Sequence, residues 1–312
     1  GVVPEYAYLR NPTLTAEDNS FARAFEYSFC GNKRINYVPY LALFGVRNIV
    51  VRGDISPAFT DCVRRFDAQE VVKYLDSESR LQKVQSSKYL TNYEIRESSL
   101  LLPLFIPRTI TSLQGTPDDL PILTSKKGYQ LSDSFYLSSN PVKPSLQITA
   151  NQPHVEYKKI SPSKYRVAIH HAKAAFPLVL STNFHPLWKI YAISPDSKKT
   201  TNGFVSHQIM NITQNDNLPS GHFYDILFQP IIANESTHQV INGYANSWRI
   251  EPYALCKRTM CSRNADGSYD IDFVIEFSLQ KYFLIGWLLS ALFSVIIAGR
   301  YAYSQLQKNK RA

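Results

Sequence analysis

The chain is short of cysteine, has no dense block of one charge before its last five residues, and carries none of the short motifs that mark the common enzyme chemistries. No GxSxG, HExxH or P-loop occurs, and no GxGxxG follows a strand pattern. Serine and histidine are present, but their spacing marks no triad, so no catalytic residue is assigned and no cofactor is expected. No internal repeat is evident. The four cysteines, Cys30, Cys62, Cys256 and Cys261, form no CxxC pair, and no histidine stands beside them at ligand spacing. A structural zinc site is therefore not expected. The net charge is +9. The basic residues are scattered, however, and the only dense run is the tail Lys308, Lys310 and Arg311. Diffuse charge of this kind describes a solvated surface and a topology signal, and nucleic acid is not an expected partner. A binding module fits these absences better than a self-contained enzyme does.

What is present is apolar. Hydrophobic residues make up 44% of the chain and aromatic residues 13%, which supports real cores and excludes a disordered polypeptide. The longest uncharged run covers residues 282–299, YFLIGWLLSALFSVIIAG, bounded by Lys281 and Arg300. A bilayer core takes about 20 apolar residues, and extension to residue 303 supplies them. Tyr282, Trp287, Tyr301 and Tyr303 lie near the ends, where amphipathic rings prefer to sit. Residues 281–303 are expected to be a transmembrane helix in a lipid bilayer. Arg300 and the basic tail 304–312 follow the run with no acidic residue, whereas Asp270, Asp272 and Glu276 precede it. The basic side stays in the cytoplasm, which places the body outside and the C-terminus inside. The chain opens on Gly1 with no signal peptide ahead of the body, so targeting information is expected upstream.

An oxidising location permits two disulfides. Cys256 and Cys261 are close enough in sequence to staple a hairpin loop, and Cys30 with Cys62 is the complementary pair. Asn211-Ile212-Thr213 and Asn234-Glu235-Ser236 match the N-glycosylation pattern, which also arises by chance.

The body divides by pattern. Residues 1–125 mix signals: an apolar stretch at 37–44, a β-branched run to Val51, a short helix at 67–74, and strands at 90–95 and 100–110, the last broken by Pro103 and Pro107. This reads as a small α/β domain. Residues 112–148 are rich in Ser, Pro, Gly and Asp, and a linker is placed at 126–148. Residues 149–280 read as all-β, with strands at 165–170, 176–183, 188–193, 238–250 and 269–277 separated by polar turns. The fold class is mostly β within α+β: a small α/β domain, a jelly-roll-like β-sandwich, and one C-terminal helix. The last strand runs almost directly into that helix, so the sandwich must sit close to the membrane.

Candidate binding residues cluster in two contexts. Trp188 and Trp248 each precede a basic residue, Lys189 and Arg249. Aromatic faces stack on the C–H face of sugars, and His185, Lys189, Asn242, Tyr244 and Asn246 could bond hydroxyls. The alternative is that both tryptophans plug the core while Asn242-Gly243 sets a hairpin turn. His170 and His171 are adjacent and would point to opposite faces of a strand, so a shared metal ion is not expected. Asp270 and Asp272 fall on the face of the last strand opposite Ile271, Phe273 and Ile275, which suits a solvated outer face.

Several of these segments together resemble a known family. They are SKYRVAIHHA from Ser163 followed by FPLVLS from Phe176, FHPLWKIY from Phe184, and NGYANSWRI from Asn242, then DFVIEF from Asp272 and Lys281 with the apolar run. They resemble the external C-terminal region of multi-span, polyprenyl-phosphate-sugar-dependent (GT-C) membrane glycosyltransferases, including arabinofuranosyltransferase-like and YfhO-like proteins. Residues 41–52, 92–95 and Pro107-Arg108 resemble earlier parts of the same region. The resemblance implies an N-terminal membrane bundle upstream, with the catalytic acidic residue on an early external loop. Neither is matched in this chain. The implied role is the non-catalytic end of such an enzyme, holding acceptor glycan or lipid-linked glycan during assembly of cell-surface polysaccharide or glycoprotein. A stand-alone anchored surface protein that binds glycan or a protein partner is the other function considered.

Overall fold

A computed structural model describes residues 38–53, 68–96, 101–116, 119–138, 152–193, 205–209, 211–259 and 261–309. The expected pair Cys30 and Cys62 lies outside these residues.

Helix α1 (Val38–Leu43) is buried along its whole length. It stops at Gly45, whose φ of 70° is left-handed. The Gly45 and Val46 amides turn back to the carbonyls of Ala42 and Leu41, the paired bonds that satisfy a helix end when glycine follows it. Strands β1 (Asn48–Arg52), β2 (Leu81–Ser86) and β3 (Leu90–Ile95) form an antiparallel sheet in the order β1-β3-β2. Helix α2 (Ala68–Asp76) packs Val71 and Leu75 against Ile49, Val51, Tyr93 and Ile95. The Tyr93 hydroxyl donates to Asp76 Oδ1 at 2.8 Å, so the sheet is bonded to the helix as well as packed on it.

The next segment was expected to close this domain and then run as a linker. Instead its first strand joins the sandwich, and the rest forms a two-stranded sheet of its own. Strand β4 (Leu104–Phe105) pairs with β9 (Phe176–Asn183). Strands β5 (Thr109–Gln114) and β6 (Asp133–Ser138) pair in parallel across the short helix α3 (Leu120–Thr124). Arg108 clamps the start of this pair with a bidentate contact to Asp133, at 2.9 and 2.8 Å. Burial works against the Asp133 charge. Bonds from Arg108, the Gln130 amide and Thr109 outweigh it and hold the carboxyl below its ordinary value.

The sandwich proper is two sheets. The larger contains β7 (His154–Ser161), β8 (Lys164–Ala172), β10 (Trp188–Tyr191), β11 (Val205–Ile209), β12 (Ile212–Asn215), β15 (Cys261–Arg263) and β16 (Tyr269–Phe277). Its order is β10-β16-β8-β7-β12-β11, with β15 on β16. The smaller runs β13-β14-β9-β4, with β13 at Gln239–Ile241 and β14 at Ala245–Ile250. Period-2 alternation aims Tyr165, Val167, Ile271, Phe273 and Ile275 inward, where they meet Leu178, Leu180, Trp248 and Ile250 of the facing sheet. Helix α4 (Asp225–Phe228) lies in the connection between β12 and β13. Helix α5 (Pro252–Cys256) is joined to β15 by the Cys256–Cys261 disulfide.

Only Ser278 and Leu279 separate β16 from helix α6 (Gln280–Asn309). Within it, Gln280–Tyr301 is 22 residues with a mean hydropathy of 2.1, long and apolar enough to cross a membrane, and none of its most apolar stretch is buried against the body.

The end of α1 and the sandwich meet through Tyr244. Its hydroxyl donates to the Leu43 carbonyl at the end of α1 and lies 2.5 Å from Ser181 Oγ on β9. Phe44 stacks on its ring at 4.3 Å. Tyr244→Phe keeps the stack but orphans the Leu43 carbonyl. It should cost about 1–3 kcal/mol, read as a lower denaturant midpoint with an unchanged slope.

Candidate functional site

The residues singled out in the sequence converge on one end of the sandwich, because the two turns that carry them are bonded together. Asn242 and Gly243 occupy successive left-handed positions, φ 55° and 72°, in the hairpin that joins β13 to β14. Asn-Gly is the dipeptide best suited to that geometry. The Asn242 side chain is fully buried: Oδ1 accepts the Phe135 amide at 2.8 Å and Nδ2 donates to Ser134 Oγ at 3.3 Å. The hairpin is thereby fixed to β6. Asn246, also fully buried, does the same for the neighbouring turn. Its Nδ2 donates to the Thr182 and Asn183 carbonyls at 2.9 and 3.2 Å. Its Oδ1 faces the His185 amide at 3.2 Å and His238 Nε2 at 3.0 Å. His238 therefore donates from Nε2, and burial holds its pKa below the ordinary value, favouring the neutral ring.

The tryptophans are core residues. Trp248 is 0% exposed and lies face to face with the His238 ring at 4.4 Å. Trp188 is 7% exposed and meets Phe277 edge-on at 5.4 Å. The indole faces expected to stack on a sugar are thus covered by protein, as the core-plug alternative has it. His185 is exposed, its Nδ1 accepts the Leu187 amide at 3.1 Å, and its ring sits edge-on to Phe277. Lys189 is paired with Glu235. Five of the seven candidate side chains thus hold one another or the core, Lys189 pairs with Glu235, and His185 is exposed with its ring against Phe277.

Beside this hub is a cleft of about 540 Å³ lined by Asn234, Glu235, Thr237, Arg249, Glu251 and Arg258 among others. Arg249 Nε lies 3.2 Å from Glu251 Oε1, and Arg258 Nη1 donates to the Ile232 carbonyl at 3.4 Å. Its walls combine carboxylates, guanidinium groups and an amide with the apolar side chains of Ile232, Ala233, Ala254 and Leu255. Glu235, Glu251 and Arg258 were not singled out in the sequence, where each is an ordinary surface residue.

The outer face of the large sheet is only partly solvated. Asp270 and Asp272 are half-exposed. Further along β16, Val274 and Glu276 are buried at 2% and 5% exposure, as are Lys164 and Arg166 on β8 at 5% and 2%. The segment after β12 crosses this face. Lys158 Nζ donates to the Leu218 carbonyl at 3.0 Å, Lys164 Nζ to the His222 carbonyl at 3.0 Å, and Asp225 accepts the His222 amide at 2.8 Å. Lys164 also pairs with Glu276 at 3.2 Å, and Arg166 with Asp272 at 3.5 Å. Charged residues on alternate positions of β8 and β16 signal this network, but their cover is remote in sequence.

His154 and His170 stand opposite one another on β7 and β8, 3.6 and 3.8 Å from the Glu156 carboxylate. His171 has a left-handed φ of 58°, where β8 and β16 shift register. Among the described residues no group of three or more His, Cys, Asp or Glu side chains is arranged to hold a metal ion.

Burial raises the Glu276 carboxyl above its ordinary 4.5, against the pull of Lys164. Between the ordinary and the raised value the native state therefore keeps a proton that the unfolded chain has lost. The stability this contributes is full below about 4.5 and is lost as pH rises through the raised value. Glu276→Gln removes that slope. The unfolding free energy of the wild type minus that of the variant should fall with rising pH across this window, measured by denaturant titration at several pH values.

No family model matches the chain, and neither a curated protein nor a solved structure is significantly similar to it.

Proposed function

We propose that this chain is the non-catalytic extracytoplasmic C-terminal part of a polyprenyl-phosphate-sugar-dependent membrane glycosyltransferase, acting in cell-surface polysaccharide or glycoprotein assembly. In this reading α6 spans the membrane, the basic tail is cytoplasmic, and the body holds acceptor glycan near the bilayer. The observation that carries it is the junction of sandwich and helix. Only Ser278 and Leu279 intervene, and the Ser278 amide donates to the Leu187 carbonyl at 2.8 Å. The junction is therefore pinned to the turn that also holds His185 and Trp188. A glycan held at this end of the body stays close to the membrane, where a polyprenyl-linked donor must be. Tethering raises its effective concentration there. The cleft between Arg249 and Glu235 supplies the polar groups for hydroxyls, taking the place of the buried indoles. The resemblance of the Phe184–Tyr191 and Asn242–Ile250 segments to the external region of such enzymes supports the same reading.

A second reading is a stand-alone anchored sandwich that binds glycan or a protein partner. The gene sequence upstream of the Gly1 codon separates the two. Many apolar spans with an acidic residue on an early external loop support the enzyme, and a start codon with a signal peptide supports the stand-alone protein.

Glycan binding is tested on the whole chain in detergent by titration with arabinan, galactan and mannan oligosaccharides. At least one should bind, and Arg249→Ala should weaken it about tenfold, the loss of about 1.4 kcal/mol being at the low end for a charged hydrogen bond. No binding by any of them, or equal binding by the variant, contradicts the cleft assignment.

A further inference from the structure

The segment between β12 and β13 has two unlike sides. Its inner side is polar and fixed: backbone carbonyls of Leu218 and His222 accept from Lys158 and Lys164, and Asp225 is 6% exposed. Its outer side is aromatic and bare. Phe223 is 64% exposed, Phe228 75%, Tyr224 41% and Ile231 43%. These rings touch mainly one another and His222, with Tyr224 stacked on His222 at 5.0 Å and edge-on to Phe223 at 5.3 Å. A contiguous exposed apolar patch on a folded body marks an interaction surface.

Its position says which kind. Helix α4, which carries Asp225 and Phe228, packs against α6. Lys164 ties His222 to Glu276, close before the point where the chain enters the apolar helix. The near end of that helix presents its own exposed rings, Tyr282, Phe283 and Trp287, at 69%, 68% and 58%. Two sets of rings, from segments far apart in sequence, thus stand together where α6 leaves the body. Phenylalanine and tyrosine beside polar backbone suit the headgroup–acyl boundary, and rings at the end of a span sit at that level.

We infer that the β12–β13 segment is a second membrane contact, in which Phe223, Tyr224 and Phe228 insert into the lipid interface beside α6 and fix the tilt of the sandwich on the bilayer. The occupant of the patch is the lipid surface, because the patch is continuous with the helix long and apolar enough to span it. This inference rests on α6 being the anchor.

The full chain is reconstituted in phosphatidylcholine vesicles brominated either near the headgroup or near the bilayer centre. Three forms are compared by tryptophan emission: wild type, Trp287→Phe, and Trp287→Phe with Phe228→Trp. Trp188 and Trp248 are buried and common to all three. The difference between the first two forms reports the anchor, and the difference between the last two reports the patch. The expected result is quenching of Trp287 and, separately, loss of the added emission at position 228, stronger with the shallow bromine. If Trp287 is quenched and the residue at 228 is not, the inference fails and the anchor stands. If the 228 emission is shielded from aqueous acrylamide as well as from bromine, protein covers the patch and the inference fails. If neither tryptophan is quenched, the anchor itself fails and the inference falls with it.

Discussion

The hairpin turn at Asn242 and the two bonded side chains that follow it are the constraint on which this arrangement depends. Three parts of the molecule meet there. Asn242 fixes the β5–β6 pair, Tyr244 fixes the end of α1, and Asn246 fixes the turn that leads to β10. Two of these side chains are fully buried amides. Buried amides cost free energy unless every donor and acceptor is matched, so each contact is conditional on the others being in place. That makes the turn a specific junction rather than a strong one. The hydrophobic clusters on either side supply the bulk of the burial, and the amides decide how the clusters are set against each other.

From that junction the geometry runs to α6, the helix long and apolar enough to cross a membrane. Asn246 holds the His185 turn, the His185 and Trp188 rings bracket Phe277, and Ser278 bonds back to Leu187. The strand then passes into α6 within two residues, Ser278 and Leu279. A body attached through so short a connection and bonded at the connection itself has little freedom to tilt. The buried network of Lys164, Arg166, Asp225 and Glu276 fastens the aromatic segment beside the same helix. Buried charges of this kind add little net stability, but they position what covers them.

Much of the fold was legible because alternation and short apolar runs are strong signals. The strands at Leu90–Ile95, Phe176–Asn183 and Tyr269–Phe277 have the limits read from the sequence, and α6 is the apolar run with one further polar stretch. The misses have physical causes. Strand β2 has only Leu81 buried along its length, so no alternation betrays it. Strand β6 is built of Asp133, Ser134 and Ser138 among its six residues, a turn composition, and it is held by partners more than a hundred residues away. The tryptophans were legible as important, but a ring that fills a core and a ring that stacks on a ligand have the same local sequence. Only the placement of His238 and Phe277 separates them. The Asn-Gly turn was legible for its backbone, whereas the bonds of the Asn242 amide were not, because its partners lie on the segment read as a linker.

Hydrogen exchange at one amide tests the central claim most directly. The Phe135 N–H is bonded to the Asn242 side chain rather than to a strand ladder. If the turn is the junction described here, that amide should open only with the sandwich, and its protection should equal that of the central amides of β9. Exchange through local opening, while the β9 amides stay protected, would mean that β6 rests on the sandwich without being locked to it. The Asn242 turn would then be a hairpin and no more.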